Sequence, residues 1–306
     1  MTEVVAALDC GSNSTRVLIA SAGGSLRREM RITRLSQGVD ASQTLTPDAL
    51  ERTYATLRDY RSLMDHEGVR RGLLVATSAV RDARNGDEFI AHARAIVGVD
   101  ARILSGLEEA TLSYAGATSD LASDERPALI VDIGGGSTEL AVVVDGHMRS
   151  FSMQLGCVRV SERALGSGIV SPDADARTRE MVSAELERAW AAVPEFGALA
   201  DRVRLVGLAG TVATLAQLDA GIVVYDRDVV HHRVLSRTAV QHWRDVLASE
   251  TPAERLARPG MVAGREDVLT AGLYVLDAVM ERFGVSELLS SENDILDGIV
   301  LSLLSD

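Results

Sequence analysis

The sequence contains the same short motif twice, a domain's length apart. The pattern Asp-x-Gly-x-x-Ser-Thr runs from Asp9 to Thr15 and again from Asp132 to Thr138. In both copies an apolar run ends at the aspartate, a polar or glycine-rich loop follows, and a second apolar run begins. This order predicts a strand, a loop the size of a phosphate group and a second strand. A repeat at this separation predicts two related halves that each begin with such a hairpin.

The rest of the sequence favours an α/β fold in two domains. Four segments show strand or helix patterns: a buried strand at 72–80 and helices at 86–98, 172–193 and 264–284. Strands that alternate with helices are typical of α/β layers. The polar segment LASDERP ends in Pro127 and separates the halves. We therefore predict one domain at 1–124 and a second at 125–306.

The composition excludes several function classes. All 31 basic residues are arginine, whereas a Walker A loop and Schiff-base chemistry both require lysine. A formal net charge of −13 disfavours nonspecific binding to nucleic acid. No apolar run approaches the roughly 20 residues of a membrane span, and two cysteines without CxxC spacing indicate a reducing compartment. We expect a cytoplasmic protein with no membrane or nucleic-acid partner.

The second copy of the motif, DIGGGSTEL, has the residues of a phosphate or metal site. Glycine amides can converge on an anion, and Ser137 and Thr138 add hydroxyl donors. Asp132 and Glu139 supply the oxygens that Mg²⁺ prefers. A hairpin turn that uses glycine for positive φ is the alternative. The duplicate near Asp9 favours phosphate binding, with the two loops facing each other across a cleft.

Two further segments carry candidate residues. Arg81 follows a predicted buried strand, where open α/β sheets place ligand contacts, and its guanidinium could stabilise phosphoryl charge. A salt bridge to Asp82 or Asp87 is the structural alternative. Glu108 and Glu109 begin a predicted helix, where carboxylates commonly complement the helix dipole only. Proximity to two phosphate loops would make one of them a base.

These segments resemble the exopolyphosphatase and guanosine pentaphosphate phosphatase (Ppx/GppA) family. The resemblance follows the family's order over nearly the whole chain: ALDCGSNSTRVLIA, ATSAVRDARN, LSGLEEATLSYAG, VDIGGGSTEL, LGCVRVSE, GLAGTVATLA and AGREDVLTAGLYVL. The family belongs to the superfamily of actin, sugar kinases and heat-shock ATPases (ASKHA). The resemblance therefore implies two actin-like, ribonuclease H-like α/β domains with an interdomain cleft.

The resemblance also implies an activity and roles for residues. It implies Mg²⁺-dependent removal of the terminal phosphate from inorganic polyphosphate, with Glu109 as base, Glu108 as fallback and Arg81 gripping phosphate. The implied metal residues are Asp132, Glu139 and Asp9. The implied phosphate-binding residues are Gly11, Ser12, Asn13, Ser14, Gly134, Gly135, Gly136, Ser137 and Thr138. A homodimer, and (p)ppGpp or nucleotides as ligand or inhibitor, are further expectations.

The chain departs from the family pattern at two places. VHHRVL stands where the family often has His-Gly, and SENDILDG stands where it often has Gly-Leu-Arg-Glu-Gly. His231 and His232 have no paired acid or ligand spacing, so both are interpreted as structural. Longer members carry extra C-terminal domains, and we therefore expect weaker processivity and a preference for short polyphosphate here.

Three alternatives remain open from the sequence. A guanosine pentaphosphate (pppGpp) phosphohydrolase would use the same loops, although the chain is only 4% aromatic, which disfavours a nucleoside pocket. A noncatalytic sensor of polyphosphate or an alarmone would need the loops but no water-activating carboxylate. A sugar kinase or ATPase of the superfamily would need a phosphoacceptor site, and no motif identifies one.

Overall fold

The computed structural model describes residues 3–305. The strands of this part are β1 (Val4–Cys10), β2 (Ser14–Ser21), β3 (Gly24–Ile32), β4 (Arg71–Ala76), β5 (Asp100–Ile103), β6 (Ala128–Ile133), β7 (Thr138–Val144), β8 (His147–Met153), β9 (Arg204–Leu208), β10 (Val234–Ser236) and β11 (Glu287–Ser290). Its α-helices are α1 (Val39–Ser42), α2 (Pro47–His66), α3 (Ser78–Arg81), α4 (Gly86–Val97), α5 (Gly106–Thr118), α6 (Cys157–Val160), α7 (Pro172–Ala192), α8 (Glu195–Ala198), α9 (Ala209–Ala220), α10 (Arg227–Val230), α11 (Arg237–Ala248), α12 (Pro252–Leu256), α13 (Leu269–Arg282) and α14 (Ile295–Ser305). A π-helical turn at Ser161–Leu165 follows α6. None of the helices in this part combines the length and the apolar character that crossing a bilayer requires.

The chain divides into two compact units. The first contains Gly116 and the chain before it, together with Asp294 and the chain after it, and the second is Ala117–Asn293. The division expected from the sequence, between 124 and 125, lies inside the second unit. Helix α14 belongs to the first unit, because its apolar residues pack against the first sheet.

The first unit is built on a five-stranded sheet in the order β3-β2-β1-β4-β5. Strand β1 pairs antiparallel with β2 and parallel with β4, and β5 extends the parallel part. On one face Leu8 of β1 shares a core with Tyr60 of α2 and Phe89 of α4. On the other face Ala7 shares a core with Leu296 of α14. A strand covered on both faces needs a continuous apolar run, which explains the unbroken VVAAL of β1.

The second unit is built on a six-stranded sheet in the order β10-β11-β9-β6-β7-β8. Strand β6 pairs antiparallel with β7 and parallel with β9, and β11 continues the parallel part. The core joins Leu129 of β6 to Leu186 of α7, Leu215 of α9 and Leu276 of α13. Helix α13 is buried along most of its length, as expected for a helix that is apolar on most of its surface.

The two predicted hairpins are present and share one hydrogen-bond pattern. In the first loop, between β1 and β2, the N–H of Gly11 donates to the carbonyl of Ser14 at 3.0 Å. In the second loop, between β6 and β7, the N–H of Gly134 donates to the carbonyl of Ser137 at 3.0 Å. The first strand of each hairpin also pairs in parallel with a later strand, β4 or β9. The repeat in the sequence is therefore a repeat in the structure.

Helices α5 and α14 of the first unit cross at two glycines. A β-carbon on Gly116 would lie 1.9 Å from the carbonyl oxygen of Asp294. A β-carbon on Gly298 would lie 2.0 Å from the carbonyl oxygen of Leu112. The two backbones are in direct contact, so a side chain at either position would force the helices apart.

One predicted strand is shorter than expected. The segment 72–80 forms β4 only as far as Ala76, and α3 follows. The N–H groups of Val80 and Arg81 donate to the carbonyl of Thr77 at 3.1 and 3.0 Å, so the chain becomes helical directly after the strand. The helices predicted at 86–98, 172–193 and 264–284 are present as α4, α7 and α13, the last beginning at Leu269.

Candidate active site

The candidate residues of the first unit lie at one edge of its sheet. Strands β1, β4 and β5 are parallel neighbours, and their last residues, Cys10, Ala76 and Ile103, are paired in register. The first loop follows β1, Arg81 ends the helix that follows β4, and Glu109 lies in the helix that follows β5. Open α/β sheets bind ligands at the carboxyl ends of their strands. The structure thus brings the first loop, Arg81 and Glu109 to the same edge.

Arg81 and Glu109 are in direct contact. Nη1 of Arg81 donates to Oε2 of Glu109 at 3.2 Å and to the carbonyl oxygen of Leu104 at 2.8 Å. The Glu109 side chain is 10% exposed and that of Arg81 is 26% exposed. A nearly buried carboxylate that contacts a fixed guanidinium has a defined orientation. A base that orients a water molecule requires such a defined orientation.

The neighbouring carboxylate, Glu108, has a different role. Its Oε2 accepts hydrogen bonds from the backbone N–H and the hydroxyl of Ser105, at 2.9 and 2.8 Å. The N–H of Glu108 donates back to Oγ of Ser105 at 3.3 Å. This reciprocal pair is a capping box at the start of α5. The hydrogen bonds from Ser105, backbone first, lower the pKa of Glu108. Glu108 therefore caps the helix while Glu109 contacts Arg81.

The segment that follows β3 holds the first loop. The N–H groups of Thr33 and Arg34 donate to the carbonyl of Asn13 at 3.0 and 2.9 Å. The N–H of Ser36 donates to the carbonyl of Ser12 at 2.9 Å. These bonds fix the backbone of the loop, and a fixed backbone is what a preorganised anion site requires.

Two polar groups at the first loop are buried without a hydrogen-bond partner among residues 3–305. They are Nδ2 of Asn13 and Oγ of Ser36, in residues that are 5% and 8% exposed. A buried polar group without a partner costs about 1–3 kcal/mol, so it calls for an explanation such as a ligand. A phosphoryl oxygen would accept from either group. The sequence did not single out Ser36, because one serine between Leu35 and Gln37 forms no recognisable motif.

Asp9, at the end of β1, lies opposite Arg16 on β2. Nε and Nη2 of Arg16 both donate to Oδ2 of Asp9, at 3.0 and 2.6 Å. Oδ1 of Asp9 is buried and accepts no hydrogen bond from the described residues. Burial raises the pKa of Asp9, and the charge of Arg16 opposes this rise. One oxygen of the carboxylate is thus bound to arginine, and the other fits a cation.

The second loop is held by the start of α6. The N–H of Cys157 donates to the carbonyl of Gly134, and that of Val158 donates to the carbonyl of Gly135, both at 2.9 Å. A β-carbon on Gly156 would lie 2.2 Å from the carbonyl oxygen of Gly135. This close approach requires glycine at 156, and it fixes the backbone of the loop.

The ends of the second loop carry two carboxylates where the first hairpin carries an ion pair. Asp132 and Glu139 are directly opposite each other on β6 and β7, as Asp9 and Arg16 are on β1 and β2. Asp132 is 9% exposed and Glu139 is 2% exposed, and Oε1 of Glu139 accepts from the hydroxyl of Ser152 at 2.6 Å. Directly opposite residues have β-carbons about 5 Å apart, and like charges there are destabilising. A bound cation would offset that repulsion.

The two hydroxyl residues of the second loop are both buried. Ser137 is 2% exposed and Thr138 is fully buried. Oγ1 of Thr138 donates to the carbonyl oxygen of Leu155. The hydroxyl proton of Thr138 is thus engaged within the protein, so only another group of Thr138 could donate to a phosphate.

Asp120, His231 and His232 form a cluster outside both loops. Each offers one potential metal-ligand atom, and these atoms lie within 4.8 Å of one another. Nδ1 of His231 accepts from the N–H of Glu292 at 3.0 Å, which assigns the ring proton to Nε2, and Nε2 lies 2.9 Å from Oδ2 of Asp120. A metal ligand must offer a lone pair instead, so the contacts favour a hydrogen-bonded cluster. The expectation that these histidines lack a paired acid is wrong, because that acid lies 111 residues away in sequence.

Comparisons with known proteins show the family to which the chain belongs. The chain matches the model of the Ppx/GppA phosphatase family over residues 18–306. It is similar to Exopolyphosphatase 2 of Mycobacterium tuberculosis, with 40% identity and 98% of each chain covered.

Solved structures show the same fold. An exopolyphosphatase-like protein superposes with a TM-score of 0.91 at 33% identity, with 99% of each chain covered. A Ppx/GppA family member from Aquifex aeolicus superposes with a TM-score of 0.80 at 28% identity, covering 100% of this chain and 98% of that one. Together with the two mixed sheets, these likenesses confirm the predicted α/β fold class.

Proposed function

Because the chain belongs to the Ppx/GppA phosphatase family and shares the fold of a solved family member, we propose that it is an exopolyphosphatase. Such an enzyme hydrolyses the terminal phosphoanhydride of inorganic polyphosphate and releases orthophosphate. The observation that carries the proposal is the contact of Glu109 with Arg81 at the sheet edge that also holds the first loop. A protein that only binds polyphosphate would need the loop but no nearly buried, oriented carboxylate beside it.

In the proposed reaction a water molecule attacks the terminal phosphorus atom. The bond from that phosphorus to the bridging oxygen breaks, and the shortened polyphosphate leaves with the bridging oxygen. Glu109 orients the water and accepts its proton, while Arg81 aligns Glu109 and adds positive charge beside the phosphoryl oxygens. Phosphoryl transfer depends mainly on such positioning and charge stabilisation, with little covalent chemistry from the protein.

We assign the two loops to the binding of phosphate groups. In the first loop, Nδ2 of Asn13 is a buried donor with no partner in the described chain, and the backbone around it is fixed by the segment after β3. In the second, glycines allow close approach of the backbone to an anion. The assigned residues are Gly11, Ser12, Asn13 and Ser14 of the first loop and Gly134, Gly135, Gly136, Ser137 and Thr138 of the second.

The carboxylates of the chain fit magnesium. Mg²⁺ binds through one or two carboxylates together with phosphate oxygens and water. Asp132 and Glu139 are opposed on neighbouring strands, and Asp9 has a buried oxygen that accepts no hydrogen bond within residues 3–305. We propose these residues for metal binding. When bound, Mg²⁺ supplies positive charge that neutralises the phosphate oxygens.

The test is phosphate release from purified protein with Mg²⁺ and four substrates: short polyphosphate, long polyphosphate, pppGpp and ATP. Glu109→Gln removes the base, and Glu108→Gln is the matched control because Glu108 belongs to the capping box. We expect release from polyphosphate, fastest with short chains, which falls by about 10²–10⁴-fold in Glu109→Gln. Glu108→Gln should retain most of the activity.

Each contrary outcome identifies an alternative. Release from pppGpp in preference to polyphosphate would indicate a pppGpp phosphohydrolase. Tight binding of polyphosphate without release from any substrate would indicate a sensor. Loss of activity in Glu108→Gln with retention in Glu109→Gln would reverse the assignment of the base.

A further inference from the structure

Five charged side chains form a network from the first loop to the N-terminus of α14. Arg16 contacts Asp9 and, through Nη1, Oδ2 of Asp294. Arg28 lies 3.6 Å from Oδ1 of Asp294 and 2.5 Å from Oδ2 of Asp297. Three carboxylates face two guanidinium groups, so the network has one net negative charge beside the first loop. This charge balance favours a cation nearby.

The network divides the donors of Arg16 between two carboxylates. Nε and Nη2 serve Oδ2 of Asp9, and Nη1 serves Asp294. When arginine pairs with a carboxylate in the common bidentate geometry, its two N–H groups engage both oxygens. Here both engage the same oxygen, and Oδ1 of Asp9 accepts nothing from the part of the chain that the structure describes. The bond to Asp294 holds the guanidinium in this one-sided position.

Asp294 is itself firmly held. Its N–H donates to Oδ2 of Asp297 at 2.8 Å, and its Oδ1 accepts from the N–H of Leu296 at 2.9 Å. Burial alone would raise the pKa of Asp294, but Arg16 and Arg28 together hold it below its usual range. The carboxylate is therefore charged and fixed in place, which makes it a rigid partner for Arg16.

We propose that Asp294 is a positioning residue for Asp9: acting through Arg16, it keeps Oδ1 of Asp9 available to a divalent cation. Without the charge of Asp294, the ion pair between Nη1 of Arg16 and Asp294 is lost, and the guanidinium can turn to engage both oxygens of Asp9. Oδ1 is then occupied and the cation loses a ligand. The identity of the cation as Mg²⁺ rests on the proposed function, whereas cation binding by Asp9 can be measured without turnover.

The test measures Mn²⁺ binding to the full chain by electron paramagnetic resonance, with no substrate present. Four proteins are compared: wild type, Asp9→Asn, Asp294→Asn and the double variant. Asparagine at 294 keeps one acceptor oxygen for the N–H of Leu296, and it removes the charge together with the second oxygen, which accepts from Nη1 of Arg16. We expect Asp294→Asn to weaken Mn²⁺ binding by about 10- to 100-fold, the usual effect of losing a group that orients a metal ligand. The double variant should bind no more weakly than Asp9→Asn, because both changes act on one oxygen.

The matched control is Asp277→Asn. Asp277 is as buried as Asp294, at 5% against 6% exposure, and it also pairs with two arginines, Arg237 and Arg244. Asp277→Asn should lower the free energy of unfolding and leave the affinity for Mn²⁺ unchanged. The inference is overturned if Asp294→Asn binds Mn²⁺ like the wild type, or if Asp277→Asn weakens binding equally.

If Asp294→Asn weakens Mn²⁺ binding further when Asp9 is already asparagine, the inference is also overturned, because the effect would then not pass through Asp9. Phosphate release by the same wild-type preparation tests the proposed function separately. Mn²⁺ binding that depends on Asp9 and Asp294, in a protein that releases no phosphate, would refute the proposed function and support this inference.

Discussion

One nitrogen of Arg81, Nη1, donates hydrogen bonds both to the carboxylate of Glu109 and to the main chain. Nη1 lies 3.2 Å from Oε2 of Glu109 and 2.8 Å from the carbonyl oxygen of Leu104. The guanidinium is thus anchored to the residue that follows β5, and the carboxylate is anchored to the guanidinium. The orientation of the Glu109 carboxylate therefore depends on where the sheet edge places Arg81, rather than on the rotamer preference of the glutamate side chain.

Arg81→Gln should lower kcat for polyphosphate by about 10²–10³-fold, the usual loss when one group that stabilises transition-state charge is removed. The reason is that Glu109 loses its contact with Arg81 and the phosphoryl group loses a positive charge. Initial rates over a range of polyphosphate concentrations measure this. Arg84→Gln is the control, because Arg84 is an exposed neighbour whose Nη2 donates to Gln43. Equal losses in the two variants would contradict the role of Arg81.

Ser36→Ala should raise KM for polyphosphate by about tenfold or more and change kcat little. The buried Oγ of Ser36 has no partner within residues 3–305, and a hydrogen bond to a charged group contributes about 1.5–3 kcal/mol. Steady-state kinetics separates the two constants. Ser62→Ala is the control, since that hydroxyl is exposed and donates to the carbonyl of Arg58. An unchanged KM for Ser36→Ala would show that its hydroxyl does not contact substrate.

Gly116→Ala should lower the free energy of unfolding by about 1–3 kcal/mol or more, as overpacked positions do. The added β-carbon would lie 1.9 Å from the carbonyl oxygen of Asp294, so α5 and α14 must separate. Urea denaturation of each variant measures the change. Gly168→Ala is the control, because a β-carbon there meets nothing within 4 Å. Equal stability of the two variants would show that the helices do not cross in contact.

Acidification should destabilise the protein partly through His232. Burial, followed by the charge of His231, lowers the pKa of His232, with Arg204 and Arg227 acting in the same direction and Asp120 opposing. The unfolded chain then binds a proton more readily than the folded one, so stability is full above about pH 6.5 and falls as the pH drops towards the lowered value.

His232→Asn should therefore flatten the decline in stability below about pH 6.5, since asparagine cannot be protonated there and tolerates the positive φ of 58° at this position. Thermal unfolding between pH 5 and 8 measures the slope. His66→Asn removes an imidazole from an exposed position at the end of α2 and serves as the comparison. A wild-type slope in His232→Asn would contradict the assignment.

The features that the sequence predicted correctly are local ones. The two hairpins follow from apolar runs that end at Asp9 and Asp132, because strand periodicity and turn residues act over a few positions. The helix at 86–98 is similarly recognisable from its own pattern. The order of the family segments was also sufficient to identify the fold class, since each segment is contiguous in the chain.

The distinction between the two adjacent glutamates depended on the structure. Glu108 and Glu109 are equivalent in composition, and each lies in the first turn of a helix. Helix geometry turns successive side chains about 100° apart, so one meets Ser105 and the other meets Arg81 from a different strand end. The family pattern indicated Glu109, and the capping box gives Glu108 a separate task.

The sequence by itself determined the hairpins, the fold class and which residue types could do phosphate chemistry. Only the tertiary structure decided how those groups are held. Arg16 and Asp294 are 278 residues apart in the chain, and Asp120 and His231 are 111 apart. Such pairs leave no local pattern, because a hydrogen bond or an ion pair depends on distance in space. That distance is set by tertiary packing, and for Arg16 and Asp294 it is set by the packing of α14 against the first sheet.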